Sequence, residues 1–302
     1  MTGQDTAAPA GRNLTDEALT RAVLASFDHA GSERLKTILQ RLVAHLHAFV
    51  QEVQLTEEEW QRGIDFLTRV GHTTTATRQE FILLSDVLGI SMLVIGLNQR
   101  RPPAATPSTV VGPFYLPGSP RFELGDDLAA GAPGEPCLVG GQVRSLTGDP
   151  VPAARIEVWQ ADEQGLYDVQ RPGLERPQGR GQLVAGPDGR FWFWTVQPTA
   201  YPIPDDGPVG ELLAAANRSP MRPAHVHFMV TAPGFQRLVT HVFVAGDPYL
   251  DSDAVFGVKS ELVCTFERHQ PGTAPDGTVM DRPYSSATYD LVLTPARDGP
   301  CG

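Results

Sequence analysis

The chain has 302 residues, 41% hydrophobic and 20% charged, the make-up of an ordinary globular protein and not of a disordered or fibrous one. Its length suits about two domains and a substantial buried core. Thirty-five acidic against 24 basic residues give a formal charge of -11, which repels phosphate backbones and anionic surfaces and argues against nucleic-acid or membrane-surface partners.

Residues 1–13 are polar and lack an apolar signal core, and the most apolar run, 81–97, is interrupted by Ser85, Asp86, Gly89 and Ser91. That run is also shorter than the ~20 residues a membrane span needs, so a cytoplasmic protein without a span is expected. From residue 14 to 98 the apolar period is 3.6. Leu35, Ile38, Leu39, Leu42, Leu46, Phe49, Val50 and Val53 predict an amphipathic helix of about five turns. Thr56 with Glu59 and Thr77 with Glu80 fit the S/T-x-x-E capping box and mark two further helix starts. Four or five helices are expected in all.

Between Pro9 and Arg101 there is no proline, and nearly all of the 27 prolines follow. Residues 100–108 are polar and proline-rich, a linker or wrap-around arm. Beyond them the period changes to two, and 138–144, 154–160, 189–195, 225–231 and 238–244 read as strands separated by turns such as Thr147-Gly148-Asp149-Pro150 and Pro187-Asp188-Gly189. Short strands without alternating helices argue for a β-sandwich over a parallel sheet, and Gly148-Asp149-Pro150-Val151-Pro152-Ala153-Ala154 resembles transthyretin-like sandwiches. The expected architecture is a helical domain over 1–100, then an antiparallel transthyretin-like sandwich over 101–302, with the arm at about 100–110. Cys137, Cys264 and Cys301 are widely spaced with no CxxC pair, so neither a disulfide framework nor a thiolate zinc site is supported.

The sharpest local signal is Arg222-Pro223-Ala224-His225-Val226-His227-Phe228. Residues two apart on a strand share a face, so His225 and His227 project side by side while Val226 and Phe228 face the other way. Two neutral imidazoles on one strand suit a metal, although HxH alone equally fits core or solvated histidines. A metal needs more donors. No HxxxD or HxE carboxylate lies near this pair, which argues against an extradiol or cupin-type ferrous site. Tyrosine is the less common donor, a hard phenolate that suits a trivalent ion. Tyr167 follows a predicted strand and a polar turn, and Tyr201 stands between Pro198 and Pro202; each, taken singly, fits a packing tyrosine as well.

Taken together, the order Tyr167, Tyr201, His225-x-His227 resembles the ligand set of the intradiol ring-cleavage dioxygenases. The likeness extends through Val110-Val111-Gly112-Pro113-Phe114-Tyr115, Gly165-Leu166-Tyr167, Tyr201-Pro202-Ile203-Pro204, Arg222-Pro223-Ala224-His225-Val226-His227 and Gly246-Asp247-Pro248-Tyr249-Leu250. It spans almost the whole chain, helical part included. Catechol-cleaving members usually carry glutamine where this chain has His241. Histidine there resembles the hydroxyquinol branch, as do Tyr167-Asp168-Val169-Gln170, the segment 204–210 and Ser252-Asp253-Ala254-Val255-Phe256-Gly257-Val258.

The resemblance implies one non-haem Fe(III) per chain on Tyr167, Tyr201, His225 and His227. It implies a substrate pocket of Leu83, Asp86, Val111, Gly112, Pro113, Phe114, Ile203, Pro204, Arg222 and Val255. Tyr201 would leave the metal to accept a substrate proton, Arg222 would stabilise charge developing on the ring, and His241 would bond substrate or orient a ligand. The implied reaction uses dioxygen to open benzene-1,2,4-triol (hydroxyquinol), with catechol or chlorocatechol as alternatives. A homodimer through the helical domain and a bound phospholipid-like amphiphile are further implications. The alternative of another class is a transthyretin-like binding module whose histidines and tyrosines only pack.

Overall fold

The computed structural model describes residues 12–75 and 78–296, in two compact units that divide between Thr68 and Arg69. In the first unit lie α1 (Asp16–Ala25), α2 (Glu33–Val53) and the start of α3 (Glu57–Thr73). Side-chain caps fix each start. Thr15 accepts from the Ala18 amide, and Ser32 accepts from the Leu35 amide. The predicted Thr56–Glu59 box closes in both directions, at 2.9 and 3.2 Å. Such a cap contributes on the order of 1 kcal/mol. The apolar stripe of α2 follows the expected period, yet Leu42, Leu46 and Phe49 are all about half exposed in the single chain.

The second unit contains α4 (Glu80–Val87) and α5 (Ile90–Asn98). Thr77, half of the other predicted capping box, lies outside the described residues, and its partner Glu80 is fully buried in a different bond set. Among the described residues no single helix is long and apolar enough to cross a membrane. The proline-rich arm lies along the sandwich. Arg101 donates to Ser108 Oγ, Thr294 Oγ1 and the Arg237 carbonyl, and the Thr106 and Thr109 amides donate to the Val292 and Val239 carbonyls.

The strands are β1 (Pro136–Ser145), β2 (Arg155–Trp159), β3 (Arg180–Val184), β4 (Arg190–Val196) and β5 (Tyr201–Pro202). After helix α6 (Pro208–Ala215) come β6 (Met221–Arg222), β7 (His225–Thr231), β8 (Leu238–Val244), β9 (Val263–Cys264), β10 (Glu267–His269), β11 (Gly272–Thr273), β12 (Val279–Met280), β13 (Tyr284–Thr288) and β14 (Leu291–Leu293). One sheet has the order β3-β2-β7-β8-β9; the other runs β10-β13-β1-β14, with β4 also paired to β1. Most pairings are antiparallel, as expected, but β1 runs parallel to β13 and β14, and β8 runs parallel to β9.

Alternation along the strands decides where the site forms. Ile156 and Val158 of β2, Val226, Phe228 and Val230 of β7, and Leu238 and Val242 of β8 fill the core with Val139, Val143, Phe191, Phe193, Leu291 and Leu293. Each such side chain contributes about 1.5–3 kcal/mol on burial. The intervening residues Trp159, His225, His227, Met229, Val239 and His241 therefore point to the outside of the sandwich, yet all of them are buried. Phe114, Tyr167 and Tyr201 pack over this second face, with Val111, Tyr115 and Val169 at its edge. A sheet face that would ordinarily meet water thus becomes a closed chamber holding polar groups.

Candidate metal centre

Strand register brings the imidazoles together. His227 pairs with Trp159 on β2 and with His241 on β8, so one row across three strands reads Trp159, His227, His241. The Trp159 and His227 rings stack at 4.7 Å, and His241 stands edge-on to His227 at 4.1 Å between centroids. His225 lies two residues before His227 on the same face. The ligating nitrogens of His225, His227 and His241 fall within 4.8 Å of one another, all buried.

The tyrosines arrive on loops held by polar bonds. The Asp162 carboxylate accepts from the Gln164 and Leu166 amides and pairs with Arg171, and Gln170 Oε1 accepts from the Tyr167 amide at 3.0 Å. Behind Tyr167, buried Arg180 pairs with Asp168 and donates to the Phe114 carbonyl at 2.8 Å, while the Phe114 ring stacks on Tyr167 at 4.5 Å. Tyr201 sits on β5, paired with Arg222 on β6. Two glycines permit the close approach. Gly165 has φ +75°, and a Cβ there would stand 2.7 Å from Tyr201 Cβ; Gly112, at φ +77°, lies against the His227 ring.

Four donor atoms meet in the chamber. Tyr167 Oη is 3.0 Å from Tyr201 Oη and 3.0 Å from His227 Nε2. His225 Nε2 is 3.2 Å from His227 Nε2 and 3.4 Å from Tyr201 Oη. His225 Nδ1 donates to the Pro223 carbonyl at 2.6 Å, so its Nε2 has only a lone pair to offer. That single lone pair faces Tyr201 Oη, His227 Nε2 and Arg222 Nη1 together, while His227 Nδ1 and both nitrogens of His241 have no hydrogen-bond partner among the described residues. A cation among the four donors fits this crowding: ligand bonds of about 2.0–2.2 Å set neighbouring donor atoms roughly 3 Å apart. The residues fit a metal.

Electrostatics agree. Burial, then the Arg222 charge, pushes His225 down to about 3, and burial drives His227 and His241 well below the ordinary histidine value. All three rings are therefore neutral, the form that binds metals. Burial raises both phenols, Tyr167 well above the usual value and Tyr201 less so because Arg222 and the Tyr167 hydroxyl counter it. A phenolate here needs a cation beside it.

Arg222 is 3% exposed and gripped by Asp253, Nε to Oδ1 at 3.0 Å and Nη2 to Oδ2 at 3.3 Å. Burial opposes its charge, but Asp253 and the two phenols more than offset this, so the guanidinium stays protonated. The Gly257 and Val255 amides donate to the same carboxylate. This grip aims Arg222 Nη1 at His225 Nε2, 3.2 Å away.

Of the residues assigned to substrate, Leu83, Pro113, Phe114, Ile203 and Pro204 line one cavity of about 400 Å³, with Arg78, Glu80, Gly165 and Leu166 also on its wall. Phe114 and Gly165 join that cavity to the donor cluster through their contacts with Tyr167 and Tyr201. The others lie outside its lining. Gly112 touches His227, Val111 packs with the aromatic group over Trp159, and Val255 bonds Asp253. Asp86 is 2% exposed, with Oδ1 unpartnered among the described residues; burial raises its pKa, and Ser91 and Arg222 partly oppose the rise. His241 faces the cluster from β8, and neither of its nitrogens has a hydrogen-bond partner among the described residues.

Helices are followed by a sandwich that carries a buried histidine–tyrosine cluster able to hold a metal ion. Residues 110–295 match the family model described as "Dioxygenase", and residues 32–106 match "Catechol dioxygenase N terminus". The chain is 55% identical over 288 residues to a hydroxyquinol 1,2-dioxygenase of Nocardioides simplex, covering 95% of this chain and 98% of that one. It is 56% identical to a 6-chlorohydroxyquinol 1,2-dioxygenase of Cupriavidus pinatubonensis, over 84% of this chain and 92% of that one. A solved hydroxyquinol 1,2-dioxygenase of Pseudomonas putida superposes with a TM-score of 0.86 at 46% identity, covering 93% of this chain and 99% of that one. The chain belongs to the intradiol ring-cleaving dioxygenases, and within them it is most like the hydroxyquinol 1,2-dioxygenases.

Proposed function

We propose that the protein opens benzene-1,2,4-triol between its two adjacent hydroxylated carbons, giving 3-hydroxy-cis,cis-muconate, the enol of maleylacetate. Both atoms of one dioxygen enter the product as new carboxylate oxygens. The observation that carries this reading is the convergence of Tyr167, Tyr201, His225 and His227 within 3.0–3.4 Å contacts, beside a cavity large enough for one aromatic ring. The relatives named above act on hydroxyquinol or its chloro derivative, which supports the triol as substrate.

Ferric iron held by these four side chains would supply a Lewis-acidic, redox-active centre for ring opening by dioxygen. The chain's own residues do the rest. Tyr201 Oη would take a proton from the diol, and burial, which raises this phenol above the ordinary value, favours the protonated form that results. Arg222, held protonated by Asp253, faces the same point and stabilises negative charge on the ring. Asp86, on the same helix as Leu83 and buried with one carboxylate oxygen unpartnered among the described residues, would accept a hydrogen bond from the third hydroxyl, and His241 would offer a nitrogen to substrate. Leu83, Phe114 and Ile203 exclude water from the ring, with Val111, Gly112, Pro113, Pro204 and Val255 shaping the surroundings.

A panel of benzene-1,2,4-triol, catechol, 4-chlorocatechol and protocatechuate tests this by oxygen uptake and product identification. The triol is expected to lead catechol by at least about tenfold in kcat/KM, since a pocket built to bond a hydroxyl penalises the ring lacking it. Faster cleavage of catechol or chlorocatechol would reassign the substrate; no uptake with any diol would return the chain to the binding-module reading.

We also propose a homodimer formed through the apolar stripe of α2, with room there for an amphiphile. Half-exposed Leu42, Leu46 and Phe49 support it, because stripes of that size are usually covered. Sedimentation equilibrium is expected to read twice the 32.6 kDa chain mass; a single-chain mass would contradict the dimer.

A further inference from the structure

Helix α4 carries Leu83 and Asp86, and both of its ends are tied to residues flanking α6. At the first end Glu80 is fully buried. Its Oε2 accepts from Arg78 Nε at 3.0 Å, and its Oε1 accepts at 3.2 Å from the Val209 amide, one of the first-turn N–H groups of α6 that have no partner within the helix. Arg78 continues to Asp206 Oδ1 at 2.7 Å, on the loop that follows Ile203 and Pro204. Gly207 closes this knot: a methyl group there would stand 2.7 Å from both Arg78 Nη2 and Glu80 Oε1. At the other end Arg218, just beyond α6, donates to the Val87 carbonyl at 2.6 Å and the Ala254 carbonyl at 3.0 Å. Its guanidinium carbon lies 4.9 Å from the centre of the Phe256 ring.

These ties matter because α4 is eight residues long, too short to hold a place by its own helical stability. Leu83 on α4 lines the cavity together with Ile203 and Pro204. The knot at Arg78 and Glu80 joins those two parts of the lining directly. Arg218 joins the far end of α4 to the loop whose Asp253 grips Arg222.

We propose that this two-ended clasp sets the width of the ring-binding cavity, making Arg78, Glu80 and Arg218 positioning residues that govern substrate affinity and not the chemical step. The inference rests on the proposed reaction for the identity of the ring, not for the mechanical role of the clasp.

Two variants of the holoenzyme test it. Gly207→Ala drives a wedge between Arg78 and Glu80, and with φ −126° it carries no backbone penalty of its own. Glu80→Gln keeps the shape and removes the charge. Without substrate, amide exchange in residues 80–87 is expected to rise about tenfold or more while that of β7 stays unchanged. Triol affinity, titrated under nitrogen where no cleavage proceeds, is expected to weaken about tenfold, with KM following and kcat held within about threefold. Unchanged exchange in α4 would overturn the proposal, as would raised exchange with unaltered triol affinity, or a fall in kcat at constant KM. If wild-type protein takes up no oxygen with any diol, the functional reading fails separately, and the exchange data still decide whether the clasp holds α4.

Discussion

Tyr201→Phe is expected to lower turnover by about 10²- to 10⁴-fold, the range of a lost general acid–base group, while the protein keeps its fold and most of its metal. The substitution removes one oxygen and leaves the ring packed against His225, so stability should change by only about 1 kcal/mol. Tyr167, His225 and His227 still offer donors to the ion. What is lost is the proton acceptor. Burial raises the Tyr201 phenol, so once this oxygen has accepted a proton it holds it throughout the neutral range, and phenylalanine has nothing to put in its place. Oxygen uptake, metal content and thermal unfolding of the variant check the three parts separately. Turnover within about threefold of wild type would remove the base role from Tyr201.

Much of this site was legible from periodicity. The expected strands at 225–231 and 238–244 match β7 and β8, because apolar alternation is strong on strands that pack one face into a core. The same alternation put His225 and His227 on one face. Nothing local told that this face would be covered; Phe114, Tyr167 and Tyr201 come from segments 24 or more residues distant, and burial there is a tertiary event. The pairing of His227 with His241 needs the hairpin register to one residue, which turn residues near Gly234 do not fix.

The pairing of the supporting charges was not legible: Asp168 and Asp253 stand in segments that carry the resemblance, but nothing local joins them to Arg180 and Arg222 until the fold buries them as pairs. A paired, buried guanidinium is distinguishable from a solvated one only by its surroundings. Helix α6 was not among the expected elements; Pro208 in its first turn and Glu80 from a distant helix complete its start, and the second of these is a tertiary contact. The apolar stripe of α2 was legible from its 3.6-residue period, but the half exposure of that stripe in the single chain was not.

Removing the metal is expected to have the largest effect of all. In the folded chain three neutral imidazoles and two phenols share one buried chamber, and His227 Nδ1 and both nitrogens of His241 lack a partner among the described residues. A metal that binds only this arrangement stabilises the fold, so chelation should abolish oxygen uptake and lower the unfolding temperature together. Two phenolates select a hard trivalent ion over zinc. The most direct measurement is the metal content of the purified protein taken with its visible absorption. About one iron per chain is expected, with a broad phenolate-to-iron band that disappears on chelation and returns with iron. A colourless, fully active protein carrying stoichiometric zinc would contradict it.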